Sequence, residues 1–139
     1  MDVQQMQVGT KIIFPCFIDG CGLFAGDVHY AQGDGEVSGV ATEIPTRGTL
    51  SFEVIKSKVI GTPRIESDEY IMAVGSARPM EDAARIAFYE LILWLEQDFG
   101  IDRFTAYQLC SQVAKVRLAN MVDIQYSVVA KFPKKYLPK

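Results

Sequence analysis

The hydrophobic pattern changes period near the middle of the chain. In the first half, apolar residues come in short alternating or continuous runs broken by glycine and proline. Lys11 to Phe17 is an apolar, β-branched run, and Leu50, Phe52 and Val54 alternate with Ser51 and Glu53, as a half-buried strand requires. Pro45-Thr46-Arg47-Gly48 has the composition of a tight turn, so Glu36 to Ile44 and Thr49 to Ser57 are expected to pair as a hairpin. A further strand, Glu69 to Val74, is expected after Gly61-Thr62-Pro63. Beyond Pro79 the period lengthens. Ala84, Ala87, Phe88, Leu91, Ile92 and Leu95 recur at three and four, with Glu81 and Asp82 in the first turn and Gly100 at the end, which predicts a helix. Asp102 can cap a second helix whose buried stripe is Ala106, Leu109, Cys110 and Val113. Ile124, Tyr126, Val128, Ala130 and Phe132 then alternate with more polar neighbours in a closing strand stopped by Pro133.

Composition narrows what such a chain can be. With 139 residues, 49% hydrophobic and 22% charged, it is expected to form one domain, residues 1–139, with a core large enough to need no disulfide or metal for folding. A net charge of -3, from 17 acidic and 14 basic residues, argues against a nucleic-acid partner. The most apolar helical stretch, Ala83 to Leu95, carries Arg85 and Glu90, which argues against a membrane span. Met1 to Gln5 lacks the pattern of a signal peptide, so a cytoplasmic protein is expected. Cys16, Cys21 and Cys110 show no CxxC spacing and are expected to be reduced.

Candidate chemistry concentrates in Gly26 to Glu36. Asp27, His29, Gln32, Asp34 and Glu36 fall within ten residues between two apolar segments, and His29 is the only histidine. On an extended backbone Asp27 and His29 point to the same side, so a carboxylate oxygen and an imidazole nitrogen can reach a common ion. Gly33 and Gly35 permit a turn that could return Glu36 to the pair. One imidazole with carboxylates and an open position suits a hydrolytic zinc site, with Asp34 or Glu36 as general base. Calcium is an alternative for the carboxylates, though oxygen-only coordination would leave His29 unused. The plainer reading stands beside these: Gly-Asp-Gly is an ordinary turn sequence, and a histidine beside a turn is commonly a hydrogen-bonded structural residue. Gly33-Asp34-Gly35 precedes a strand rather than a helix, unlike a dinucleotide fingerprint. Arg64, Glu66, Asp68 and Glu69 read as a solvated loop, Trp94 as core, and Lys134-Lys135-Tyr136 as a solvated end.

Gly26 to Glu43, GDVHYAQGDGEVSGVATE, resembles the signature of the acetamidase/formamidase family, whose form is close to GDxHxxQGDGExxGxAxE. Met1-Asp2-Val3, Val8-Gly9-Thr10 and Phe14-Pro15 are similar to its lead-in. Ala83 to Leu95, Ala106-Tyr107, Arg117, Val122-Asp123 and Phe132-Pro133-Lys134 are similar to its later segments, so nearly the whole chain is covered. The resemblance implies an α+β fold, a β-sandwich-like glycine-rich body followed by two helices and a closing strand. It also implies hydrolysis of a short aliphatic amide, formamide or acetamide, to ammonia and a carboxylate. Zinc ligation carries over to Asp27 and His29, with Glu36 as ligand or base, while Gln32 and Asp34 would orient the amide or the attacking water. Asp19 and Gly20-Cys21-Gly22 depart from the family's usual residues before the signature, where the pocket wall is expected. Because the family's enzymes are longer, the resemblance further implies a site completed by an N-terminal partner half or a homo-oligomer. A competing reading, motivated by the single histidine, is an inactive remnant that serves as a binding or assembly module.

Overall fold

A computed structural model of the protein describes residues 2–138. Its strands are β1 (Lys11–Ile13), β2 (His29–Ala31), β3 (Thr42–Glu43), β4 (Arg64–Glu66), β5 (Tyr70–Ala77), β6 (Lys115–Asn120) and β7 (Tyr126–Pro133), and its helices are α1 (Met80–Phe99) and α2 (Arg103–Val113). Five strands form an antiparallel sheet in the order β1-β4-β5-β7-β6, and β2 and β3 form a separate two-stranded ribbon. The α+β class and the closing strand therefore match the sequence-based expectation.

Both faces of the central strands are covered, which is why β5 reads as a continuous apolar run rather than an alternation. Ile71 and Ala73 of β5 and Ala130 and Phe132 of β7 pack under Ala87, Leu91 and Leu95 of α1 and Ala106 and Cys110 of α2. Met72, Val74 and Val129 face the other way and pack with Ile65, Ala119 and Val3. Gly75 lets α1 lie directly on β5: a Cβ there would stand 2.0 Å from the Ala83 carbonyl oxygen and 2.6 Å from the Ala87 nitrogen. Gly100, at φ 65°, ends α1 in the left-handed conformation, and the Asp102 carboxylate accepts hydrogen bonds from the Phe104 and Thr105 amides at 3.2 Å to start α2.

Several expectations need correction. The hairpin of Glu36–Ile44 with Thr49–Ser57 does not form, because β3 turns back to pair with β2 and leaves residues 45–59 without a strand partner among the described residues. β1 stops at Ile13, ahead of Pro15, which has no N–H to give to the ladder. β6 had no clear signature: it is an edge strand whose Lys115, Val116 and Arg117 are all exposed. Arg64 is buried rather than solvated. Its guanidinium pairs with Glu90 of α1 at 2.7 Å, donates to Gln97 at 3.0 Å and lies 5.1 Å from the Trp94 ring centroid. Trp94 is core, as expected. Cys16 and Cys21 are not free thiols but form a disulfide, with Cα atoms 5.7 Å apart. Cys110 is a buried free thiol, and burial pushes its pKa up to about 11.

Candidate active site

The β2–β3 ribbon assembles the site. Antiparallel pairing sets Glu43 directly across from His29, and directly opposed residues have their side chains within reach of one another. Asp27, just before β2, takes a left-handed φ of 54°. Ligand atoms of Asp27, His29 and Glu43 all lie within 4.8 Å of one another. The imidazole is mostly covered, its side chain 11% exposed, while both carboxylates are open to solvent. His29 Nε2 is buried and, among the described residues, makes no well-formed hydrogen bond, although Asp27 Oδ1 is 3.3 Å away. A buried nitrogen without a well-formed hydrogen bond, facing two carboxylates, is a fitting place for a cation. One nitrogen with carboxylate oxygens suits zinc better than calcium, which prefers oxygen alone.

The imidazole is steadied from β6 by way of Gln32. His29 Nδ1 lies 3.0 Å from Gln32 Oε1, and Gln32 Nε2 donates to the Ala119 carbonyl at 3.3 Å. The Gln32 hydrogen bond, ahead of the nearby Asp27 and Glu36 charges, raises the pKa of His29 against the opposing effect of burial. A 3-10 turn, Asp34–Glu36, follows and is docked onto the end of β6. Gly35 is buried at φ 81°, with its carbonyl accepting from the Met121 amide at 2.9 Å; a Cβ would come within 3.1 Å of Leu118 and 3.2 Å of Met121. Arg117 grips Asp34 Oδ1 with two nitrogens, at 2.6 and 3.0 Å.

Asn120 is fully buried and joins the turn to the loop after β6. Its Oδ1 accepts from the Val122 and Asp123 amides at 3.0 Å, and its Nδ2 donates to Glu36 Oε2 at 3.0 Å. An open cleft of about 460 Å³ is lined by Gln32, Asp34, Glu36 and Thr42, among others. A second, of about 320 Å³, is lined by Asp27, Val28, Glu43, Ile44 and Pro45.

Asp27 and His29 thus meet, but Glu36 does not join them as the third member of the compact group. The turn carries it toward Asn120, and strand pairing gives the place to Glu43. Asp34 is held in an ion pair, and both polar ends of Gln32 are engaged within the protein. Glu43 was visible in the sequence as the last glutamate of the signature, whereas Asn120 stood in a segment with no recognised motif.

Known proteins share this fold and sequence. Residues 1–136 match the model of the acetamidase/formamidase family. The crystal structure of an acetamidase from Yersinia enterocolitica superposes with a TM-score of 0.84 at 42% identity, covering 100% of this chain and 42% of that one. An acetamidase from Bacillus halodurans gives a TM-score of 0.89 at 26% identity over 97% of this chain and 46% of that one. An acetamidase of Mycolicibacterium smegmatis is 40% identical over 37 residues, 27% of this chain and 9% of that one. The chain spans less than half the length of these relatives. A family match running through both the ribbon that gathers Asp27, His29 and Glu43 and the sheet that supports it shows that the chain belongs to the acetamidase/formamidase family.

Proposed function

We propose that this chain carries the metal-binding part of a hydrolase for short aliphatic amides, formamide or acetamide, which yields ammonia and a carboxylate. The observation that carries this reading is the buried Nε2 of His29, without a well-formed hydrogen bond, beside Asp27 and Glu43. These three residues would hold a divalent metal, zinc by the character of the donors. When bound, such an ion polarises a carbonyl and lowers the pKa of water to about 7.

The chain's own groups supply the rest. Overall, the oxygen of water ends in the carboxylate, the C–N bond breaks, and nitrogen leaves after taking up a proton. Glu36, with Oε2 steadied by Asn120, is the carboxylate we assign to passing that proton to the leaving nitrogen. Asp34, anchored by Arg117, shapes the cleft wall instead.

The active unit contains further polypeptide. Phe17, Phe24, Leu50, Phe52 and Val54 are each more than half exposed, and an apolar surface of this extent marks a contact surface. The relatives have more than half of their length beyond the matched fold, and a polypeptide corresponding to that remainder is the partner we favour over a second copy of this chain.

The test is to purify the chain alone and co-expressed with the uncovered portion of the Yersinia enterocolitica acetamidase. Bound metal is then measured together with ammonia release from formamide and acetamide. Metal in both preparations, with turnover in the co-expressed one, is expected. No metal and no turnover in either would overturn the proposal, and metal without turnover in the complex would favour an assembly module.

A further inference from the structure

We infer that Gln32 is a positioning residue that holds the hydrogen of neutral His29 on Nδ1, so that Nε2, whose 3.3 Å approach to Asp27 Oδ1 does not form a hydrogen bond, is left as the donor atom. The inference rests on the site proposed above and concerns how that site is prepared. Orientation follows from hydrogen-bond chemistry. The Ala119 carbonyl can only accept, so the Gln32 end facing it, at 3.3 Å, must be the NH2 group. Gln32 Oε1 is then left toward the imidazole at 3.0 Å, and since an amide oxygen can only accept, Nδ1 must carry the hydrogen. With the amide reversed, two acceptors would face one another at Ala119.

The fold makes this anchor available. In the β6–β7 ladder Leu118 pairs with Val128 and Asn120 with Ser127, so Ala119 is the extra residue of a bulge. Ala119 itself is fully buried and its carbonyl accepts from Gln32, 87 positions away in sequence. A second irregularity, between His29 and Ala31 in the β2–β3 ladder, lies on the other side of the contact. Two bulges therefore frame the Ala119–Gln32–His29 relay, and bulges commonly re-aim side chains beside functional sites. A hydrogen bond to the ring nitrogen opposite a metal fixes both tautomer and ring orientation, and losing such a partner typically lowers metal affinity about 10–100-fold.

His29 is the only histidine, so its ring nitrogens can be read without assignment in a long-range 1H–15N spectrum of the full chain. The 15N-labelled protein is purified without a histidine tag, freed of metal by chelator, and measured at a pH where the imidazole is neutral. The wild type is expected to show the Nδ1–H form. Gln32→Leu should move the ring toward the Nε2–H form favoured by free imidazole. A wild type in the Nε2–H form, or a folded Gln32→Leu protein with an unchanged spectrum, would overturn the inference. The wild-type spectrum decides even if a variant fails to fold. Zinc titration of the same samples separates the two claims: an Nδ1–H wild type that binds no zinc contradicts the metal site while leaving the tautomer assignment intact, and an affinity about 10–100-fold lower in Gln32→Leu supports both.

Discussion

In β5, Ile71, Met72, Ala73 and Val74 are all buried, whereas Leu50, Phe52 and Val54, which alternate as a strand would, stand 59%, 72% and 82% exposed. The first group is sandwiched between α1 on one face and Val3, Ile65 and Val129 on the other. Among the described residues, the second pairs with no strand of its own chain. Hydrophobic patterning states that a segment is to be covered, and the cover must come from somewhere. For the sheet and helices it is internal; for residues 45–59 we assign it to additional polypeptide. The proposed site lies in the ribbon joining these regions, held from the sheet side through contacts of Gln32, Arg117 and Asn120 and open on the other.

The contrast is broken most severely from the sheet side. Arg64→Met would leave the Glu90 carboxylate buried without its cation, and such losses cost about 3–5 kcal/mol. Urea denaturation should show that loss, with Arg64→Met/Glu90→Leu recovering most of it; a neutral single variant would mean that the pair is hydrated. Gly75→Ala comes next, because its Cβ cannot coexist with the present α1 backbone, and overpacking costs about 1–3 kcal/mol. An unchanged denaturation midpoint would show that α1 is free to lift away. Phe52→Ser, by contrast, should change the stability of the isolated chain by less than about 0.5 kcal/mol while weakening capture of the co-expressed partner portion. A large loss of stability in the chain alone would place its cover within this molecule.

The smallest expected effect is that of Asp102. Hydrogen bonds from Thr105, then Phe104, lower its pKa in the folded state. Its stabilisation is therefore present above the unfolded carboxylate value of about 3.9 and is lost as pH falls through the lower folded value. Asp102→Asn, which caps without titrating, should reduce the acid sensitivity of unfolding slightly, as followed by circular dichroism across that pH range. An identical acid profile would show that other groups dominate.

The helices were legible because their signals are local. Pro79, Gly100 and Asp102 mark their boundaries, and the spacing from Ala84 to Leu95 gives the buried face. The edge strand β6 was not legible, since its exposed Lys115, Val116 and Arg117 give no clean alternation. The Arg64–Glu90 pair joins residues 26 positions apart, and no local rule distinguishes such an arginine from a solvated one. At the site, Asp27 and His29 could be read together because they are two residues apart. The third member could not: the turn residues Gly33 and Gly35 favoured Glu36, whereas the β2–β3 register brings in Glu43.

That choice gives the most direct test of the central claim, that Asp27, His29 and Glu43 together hold a divalent metal. Zinc binding by calorimetry is compared for the wild type, Glu43→Gln and Glu36→Gln, each checked for folding. One zinc per wild-type chain is expected, with at least about a tenfold loss of affinity in Glu43→Gln and near wild-type affinity in Glu36→Gln. Wild-type affinity in Glu43→Gln, or no zinc bound by the wild type, would contradict the claim.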